Sequence, residues 1–267
     1  MPSRAARRLF TYIVLPTAAA SYGIHRGLSH LEATYPELPV DKTTSVALRT
    51  PSNPEKQRCA YIDVYSARIP LAALQARTRG NETSKKIALE DAWARSVLGS
   101  KPLRSEASVV GLMRHGRYSP GDIGDSESGF SAEGNGSTPT PRALLNGVVT
   151  VQRAPEPRNA DSNGLLIAWF MPPEPREFFE SIARWGYPWR LMSGGRHELS
   201  VSEPFDVPEQ RDTMVEVRFS TAHDYEVVLE EGEYQKVIPQ WVMRLHRGWA
   251  RLILDMAARE VRRGVEN

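Results

Sequence analysis

The ordering of the last third of the chain, strand and strand followed by one long amphipathic helix, is the feature that most constrains its fold. From Pro239 onward Trp241, Leu245, Trp249, Leu252 and Met256 recur at spacings of four, four, three and four, the repeat of one face of an α-helix. Ahead of them, within residues 214–229, Val215, Val217, Phe219, Tyr225, Val227 and Leu229 keep one parity, as side chains do on one face of a sheet. That run is longer than the usual strand of about five or six residues. It is therefore either a hairpin turning near residues 222–224 or one bent strand with a bulge. A curved sheet closed over by a C-terminal helix can enclose an apolar cavity, so the pattern bears on function as well as fold.

Of the 267 residues 40% are apolar, and 20 prolines and 19 glycines punctuate the chain. One folded domain of roughly 180 residues accounts for this, with less regular material at the start and in the middle. A net charge of +2 is too small to argue for an anionic substrate. No basic block is interleaved with aromatics, so no nucleic-acid partner is implied. The single cysteine, Cys59, excludes an internal disulfide and a thiolate metal cluster. It opens an alternating apolar run and reads as a buried structural thiol.

The first 31 residues look like an address. Arg4, Arg7 and Arg8 precede an apolar stretch at 9–24, and no acidic residue occurs before Glu32. A basic, acid-free start is that of a mitochondrial presequence, while Ala18-Ala19-Ala20 before Ser21 would suit secretory processing or a membrane anchor. Mitochondrial targeting is the favoured expectation. The apolar stretch, interrupted by Pro16, falls short of the ~20 residues of a spanning helix. Sequons at Asn81 and Asn135 lie in polar surroundings.

Residues 32–56, with Pro36, Pro39, Pro51 and Pro54, read as a linker. The domain then spans 57–264. Tyr61, Asp63, Tyr65 and Ala67 alternate on a first strand. Lys85–Leu98 is a helix stopped by Gly99. Residues 106–113 read as a short strand, and 119–142 as a disordered, low-complexity insertion. Strands are expected at 146–152, 164–171, 188–192 and 196–205, with a short helix at 174–185 following a proline-rich start. Strands outnumber helices without alternating with them, which points to an α+β fold.

Residues 196–203 followed by Val215–Thr221, and then a C-terminal helix carrying Met243-Arg244-Leu245-His246-Arg247, resemble the end of the DUF2867 family. The resemblance implies a helix-grip, START-like (Bet v 1-like, SRPBCC) fold: a curved antiparallel sheet gripping a long C-terminal helix. It carries over no catalytic residue. The acidic connection at 226–236 and the insertion at 119–142 depart from the family pattern.

None of the six histidines forms HExxH or an i, i+4 pair, and no Gly-x-Ser-x-Gly elbow, phosphate loop or GxGxxG is present. No cofactor or metal is implied. Strand parity marks His197, beside Leu199 and Val201, and His223, in line with Val217, Phe219 and Thr221, as polar side chains facing the expected cavity. Tyr225, Trp241 and Trp249 are candidate lining residues. Arg114, in Arg114-His115-Gly116-Arg117, is either an exposed basic turn or an anion grip at the cavity mouth. Arg244, Arg247 and Arg251 fall on another face of the last helix, either solvated or in peripheral contact with an anionic membrane.

Three functions suit these features. The leading one is binding of a hydrophobic small molecule or lipid in a cavity between sheet and helix. The others are a cyclase- or isomerase-type enzyme with a histidine acid–base, and a mitochondrial membrane-associated accessory protein.

Overall fold

The computed structural model describes residues 15–41, 43–79, 85–126, 129–131, 141–155, 164–208 and 212–264. In chain order the elements are helices α1 (Leu15–Thr34) and α2 (Val46–Arg49), strand β1 (Gln57–Pro70), and helices α3 (Leu71–Gln75), α4 (Lys85–Leu98) and α5 (Lys101–His115). Strands β2 (Ala143–Leu144), β3 (Val149–Arg153) and β4 (Leu165–Phe170) follow, then helix α6 (Pro173–Arg184). The chain continues through strands β5 (Gly194–Val201), β6 (Phe205–Asp206) and β7 (Thr213–Glu226) into helix α7 (Gln240–Arg263).

The strands form one curved, seven-stranded antiparallel sheet in the order β1-β7-β5-β4-β3-β2, with β6 pairing the start of β7. The fold is α+β, as the element order implied. The long apolar run is one strand rather than a hairpin. Its irregularity lies on the partner, where the register slips between Cys59 and Tyr61 of β1. That slip carries the extra residue while β7 continues unbroken.

Cross-strand register decides what each face presents. Tyr61, Asp63, Tyr65, Ala67 and Ile69 on β1 oppose His223, Thr221, Phe219, Val217 and Val215 on β7, so all ten share the face that packs on α4 and α7. The core gathers there, with Tyr65, Val217, Phe219 and Leu199 from the sheet against Trp93, Val97, Ile253, Leu254, Ala257 and Val261 from the helices. The Trp93 indole donates to the Arg218 carbonyl, fixing α4 to β7.

The other face of the sheet is covered by the segment expected to be a linker. Leu48 of α2 is fully buried against Leu166 and Ala222. Ser45 caps α2, accepting from the Leu48 amide, and its own hydroxyl donates to Glu198 on β5. Proline density here marks a chain of turns and one short helix packed on a sheet, which a composition argument does not separate from a free linker. Beneath it lies a buried ion pair: Arg196 grips Asp224 through both terminal nitrogens and donates to the Leu48 carbonyl.

Two further expectations are corrected. Residues 106–113 belong to α5 and not to a strand. Pro102 in its first turn and Gly116 in the left-handed conformation (φ 67°) bracket a helix, while Ala107, Ser108 and Gly111 form its buried stripe. Residues 188–192 make no strand; Arg190, buried there, is paired with Glu180 and Glu231.

Much of the expected insertion at 119–142, and both sequons, lie outside the described residues. The parts that are described are anchored. Phe130 is 2% exposed, Gly124 sits directly on its ring, and Arg142 pairs with Asp122. Of the expected address, residues 1–14 lie outside the described residues. The remainder is the body of α1, which docks on α7, with Leu28 against Gly248 and Glu32 bonded to Arg244. No described helix is long and apolar enough to cross a membrane.

Candidate functional site

Two adjacent rows of residues run across the inner face of the sheet. One reads Asp63, Thr221, His197, Ile167 and Val151; the next reads Tyr61, His223, Gly195, Trp169 and Val149. Each row is polar or aromatic toward β1 and apolar toward β3. Helix α7 crosses above them and α5 closes the side, leaving a cavity of about 410 Å³, within the range of small-molecule sites. Its wall is mostly apolar, including Val97, Val110, Ile167, Leu199, Phe219 and Ile253; the side chains that break it with polarity are Glu106, Arg114, His197, Thr221 and His246, together with the indole of Trp169. An open depression beside it, between the start of α5 and Trp249, shares Glu106 and Trp249 with the cavity.

His197 lies between the Trp169 and Phe219 rings, with centroids 6.4 and 5.2 Å away. Burial, reinforced by His223 and His246, pulls its pKa down to about 3, so the ring is neutral at physiological pH. Its Nδ1 is buried without a hydrogen-bond partner among the described residues, and so is Nε1 of Trp169. Each such orphan costs on the order of 1–3 kcal/mol. Gly195 permits this packing, because a Cβ there would lie 2.8 Å from the Trp169 Nε1 and 2.3 Å from the Ala222 carbonyl oxygen.

Behind Thr221 the polar row continues. The Thr221 hydroxyl lies 3.2 Å from Nε2 of His223, whose Nδ1 faces the Met192 sulfur at 3.2 Å. His223 stacks on Tyr61 at 4.2 Å and meets His246 edge-on at 4.8 Å. Its Nε2 is 3.6 Å from the buried Asp63 carboxylate, which Arg247 of α7 reaches at 2.8 Å. Burial lowers the pKa of both histidines, that of His246 to about 4; at His223 the effect is opposed by Asp63. Three neutral imidazoles and one buried ion pair thus share the end of the sheet next to β1.

The residues singled out from sequence separate clearly in space. His197 and Trp249 line the cavity, and Arg114 sits at its exposed rim, donating to the Asn146 carbonyl from the end of α5. His223 is fully buried behind the wall and does not line the cavity. Tyr225 is also buried elsewhere, its hydroxyl accepting from the Ile238 amide in a small cluster with Met192 and Met243. Trp241 is 60% exposed and packs on Trp189, away from the cavity.

Most of the stripe expected to be the buried face of α7 points away from the sheet, with Trp249 at its edge reaching the cavity. At 100° per residue, the chain Met243, Arg247, Ala250, Leu254, Ala257 and Val261 forms the stripe that grips the sheet, and Leu245 and Trp241 lie opposite it. Small residues let the helix approach closely, and an arginine occupies one position of the stripe because Asp63 awaits it. Hydrophobic size alone therefore picks the wrong side. The arginines expected on an outer face are engaged: Arg244 with Glu32 of α1 at a partly exposed helix seam, Arg247 with Asp63, and Arg251 with the Tyr35 carbonyl, its guanidinium 4.2 Å above the Tyr65 ring.

His246, Trp169 and Thr221 complete the cavity's polar set. Strand parity marks Trp169, in phase with Leu165 and Ile167, and Thr221 equally well. Among the described residues no group of acidic, histidine and cysteine side chains is arranged to hold a metal ion. No family model matches the sequence, and neither the curated proteins nor the solved structures give a match.

Proposed function

We propose that this protein binds a hydrophobic small molecule or lipid in the cavity between sheet and C-terminal helix, as a helix-grip protein of the START-like kind. The observation that carries the reading is the cavity itself: about 410 Å³, walled by apolar side chains from four sheet strands and three helices, with few polar groups converging on it. The strand order, with β1 beside β7 and a long helix laid across the inner face, supports the helix-grip assignment. An acid–base role for His197 is disfavoured. A group whose conjugate acid has a pKa of about 3 is a weak base at neutral pH, and His223 lies outside the cavity.

The test is mass spectrometry of small molecules extracted from natively purified protein, alongside a Val110→Trp variant. Val110 lines the cavity from α5, so the larger ring occupies ligand space without replacing any sheet residue. The reading predicts an apolar ligand retained by the wild type and lost from a variant with unchanged thermal unfolding. Retention of the same molecule by the filled variant, or an empty wild type that also takes up no apolar probe, overturns it.

A further inference from the structure

We propose that this protein docks on an anionic lipid bilayer through the outer faces of α5 and α7, with the mouth of the cavity turned toward the membrane. The inference rests on the apolar-ligand reading only for the part the mouth plays; the docking surface itself does not depend on what the cavity holds.

Six apolar side chains stand exposed on these two helices. Trp241, Leu245 and Trp249 follow one another at four-residue spacing along α7, and Val109, Leu112 and Met113 occupy one side of α5. Met113, at 81%, is almost wholly exposed. The two rows meet at the open depression beside the cavity, whose wall includes both Val109 and Trp249. Isolated apolar residues on a surface are ordinary, whereas a group of this size bordered by charge marks a face that another body covers.

Charge and residue type point to a bilayer as that body. Helix α5 carries Lys101, Arg104 and Arg114 against Glu106 alone. Lys101 stands in the wall of the depression and Arg114 at the rim of the cavity. A second copy placed face to face would bring these cations together across its two-fold axis, while anionic headgroups attract each of them. Indole rings suit the headgroup level, where one edge is apolar and the other wet. The depression and the cavity share Glu106 and Trp249, so an apolar molecule leaving the bilayer there would meet the mouth without crossing open water. The contact is a peripheral one, made by helix faces. It does not use Arg244, Arg247 and Arg251, which are engaged within the fold.

Flotation of the full chain with vesicles tests this, using phosphatidylcholine alone and an equal mixture with phosphatidylglycerol. The mixed vesicles are expected to bind about tenfold tighter than the neutral ones. On mixed vesicles Met113→Ser combined with Leu245→Ser should weaken binding about tenfold, and Lys101→Ser about fivefold. All three side chains are exposed, so thermal unfolding should be unchanged; if the double variant unfolds, Lys101→Ser and the lipid dependence decide. Arg263→Ser, at the far end of α7, should change nothing. No vesicle binding by the wild type overturns the inference and leaves the apolar-ligand reading to its own test. An equal loss in Arg263→Ser overturns it in favour of general charge adsorption. A dimer in sedimentation velocity that the double variant abolishes, with no vesicle binding, overturns it in favour of a second copy. Vesicle binding by protein that neither retains nor takes up an apolar molecule upholds the docking and removes the other reading.

Discussion

Replacing His197 by glutamine tests the electrostatic state of the cavity wall, because the imidazole is held neutral by its surroundings. An unfolded histidine has a pKa near 6.5, whereas in the fold burial beside His223 and His246 lowers it to about 3. Between those values the unfolded chain binds a proton that the folded one refuses, so stability is intact above about pH 6.5 and is lost as pH falls toward 3. Between about pH 7.5 and about pH 5 the difference amounts to roughly 1.4 kcal/mol per unit over about 1.5 units, or about 2 kcal/mol from this residue. His223 and His246 add in the same direction. The Glu198 and Asp224 carboxylates, whose pKa values burial raises, act the opposite way, so the wild-type slope alone is not diagnostic. The measurement is urea unfolding at both pH values for wild type and His197→Gln. The variant should lose about 2 kcal/mol less than the wild type on acidification. Equal losses would refute the claim that His197 is buried and neutral.

Other outcomes follow from packing. Arg196→Met strands the Asp224 carboxylate beneath α2 and should cost about 3–5 kcal/mol, whereas joining it with Asp224→Leu should restore much of that in chemical denaturation. Tyr35→Phe removes the 2.7 Å bond to Asp255 and should lower stability by about 1 kcal/mol in the same assay. Gly248→Phe wedges a ring where a Cβ would already lie 2.0 Å from a Leu28 methyl. It should lift α1 and speed tryptic cleavage at Arg26, which a merely local effect would leave unchanged.

The strands of this fold were legible where alternation is strict. Parity put Phe219, Thr221 and His223 on one side of β7 and Asp63 with Tyr65 on one side of β1, as the structure has them; the register that brings the two sets to one face was not legible. Helix α4 was legible to its end residues because Gly99 stops it. Residues 106–113 misled because Val109 and Val110 favour strands locally, while the deciding signals, Pro102 and Gly116, lie outside that window. Helix α7 shows a different failure. Its tryptophans dominate any hydrophobic average, yet alanines, a few aliphatic side chains and one charge-matched arginine make its contact with the sheet. The site was half legible for the same reason. Parity tells which face a histidine occupies, but whether it reaches the cavity depends on what stacks on it, as Tyr61 and Met192 do on His223.

The pairing of β1 with β7 has a consequence for how the chain comes off the ribosome. Strand β7 lies between β1 and β5, yet it begins at Thr213, long after β1 ends at Pro70. At a synthesis rate of ~5–20 residues per second, β1 waits roughly 7–30 s for its neighbour. Through that interval β1 is a bare strand without its partner, the kind that recruits other chains, and β5, which ends at Val201, joins it only shortly before β7 is made. The sheet is thus assembled after translation of its middle, and a chain halted before Thr213 should aggregate instead of adopting a smaller version of this fold.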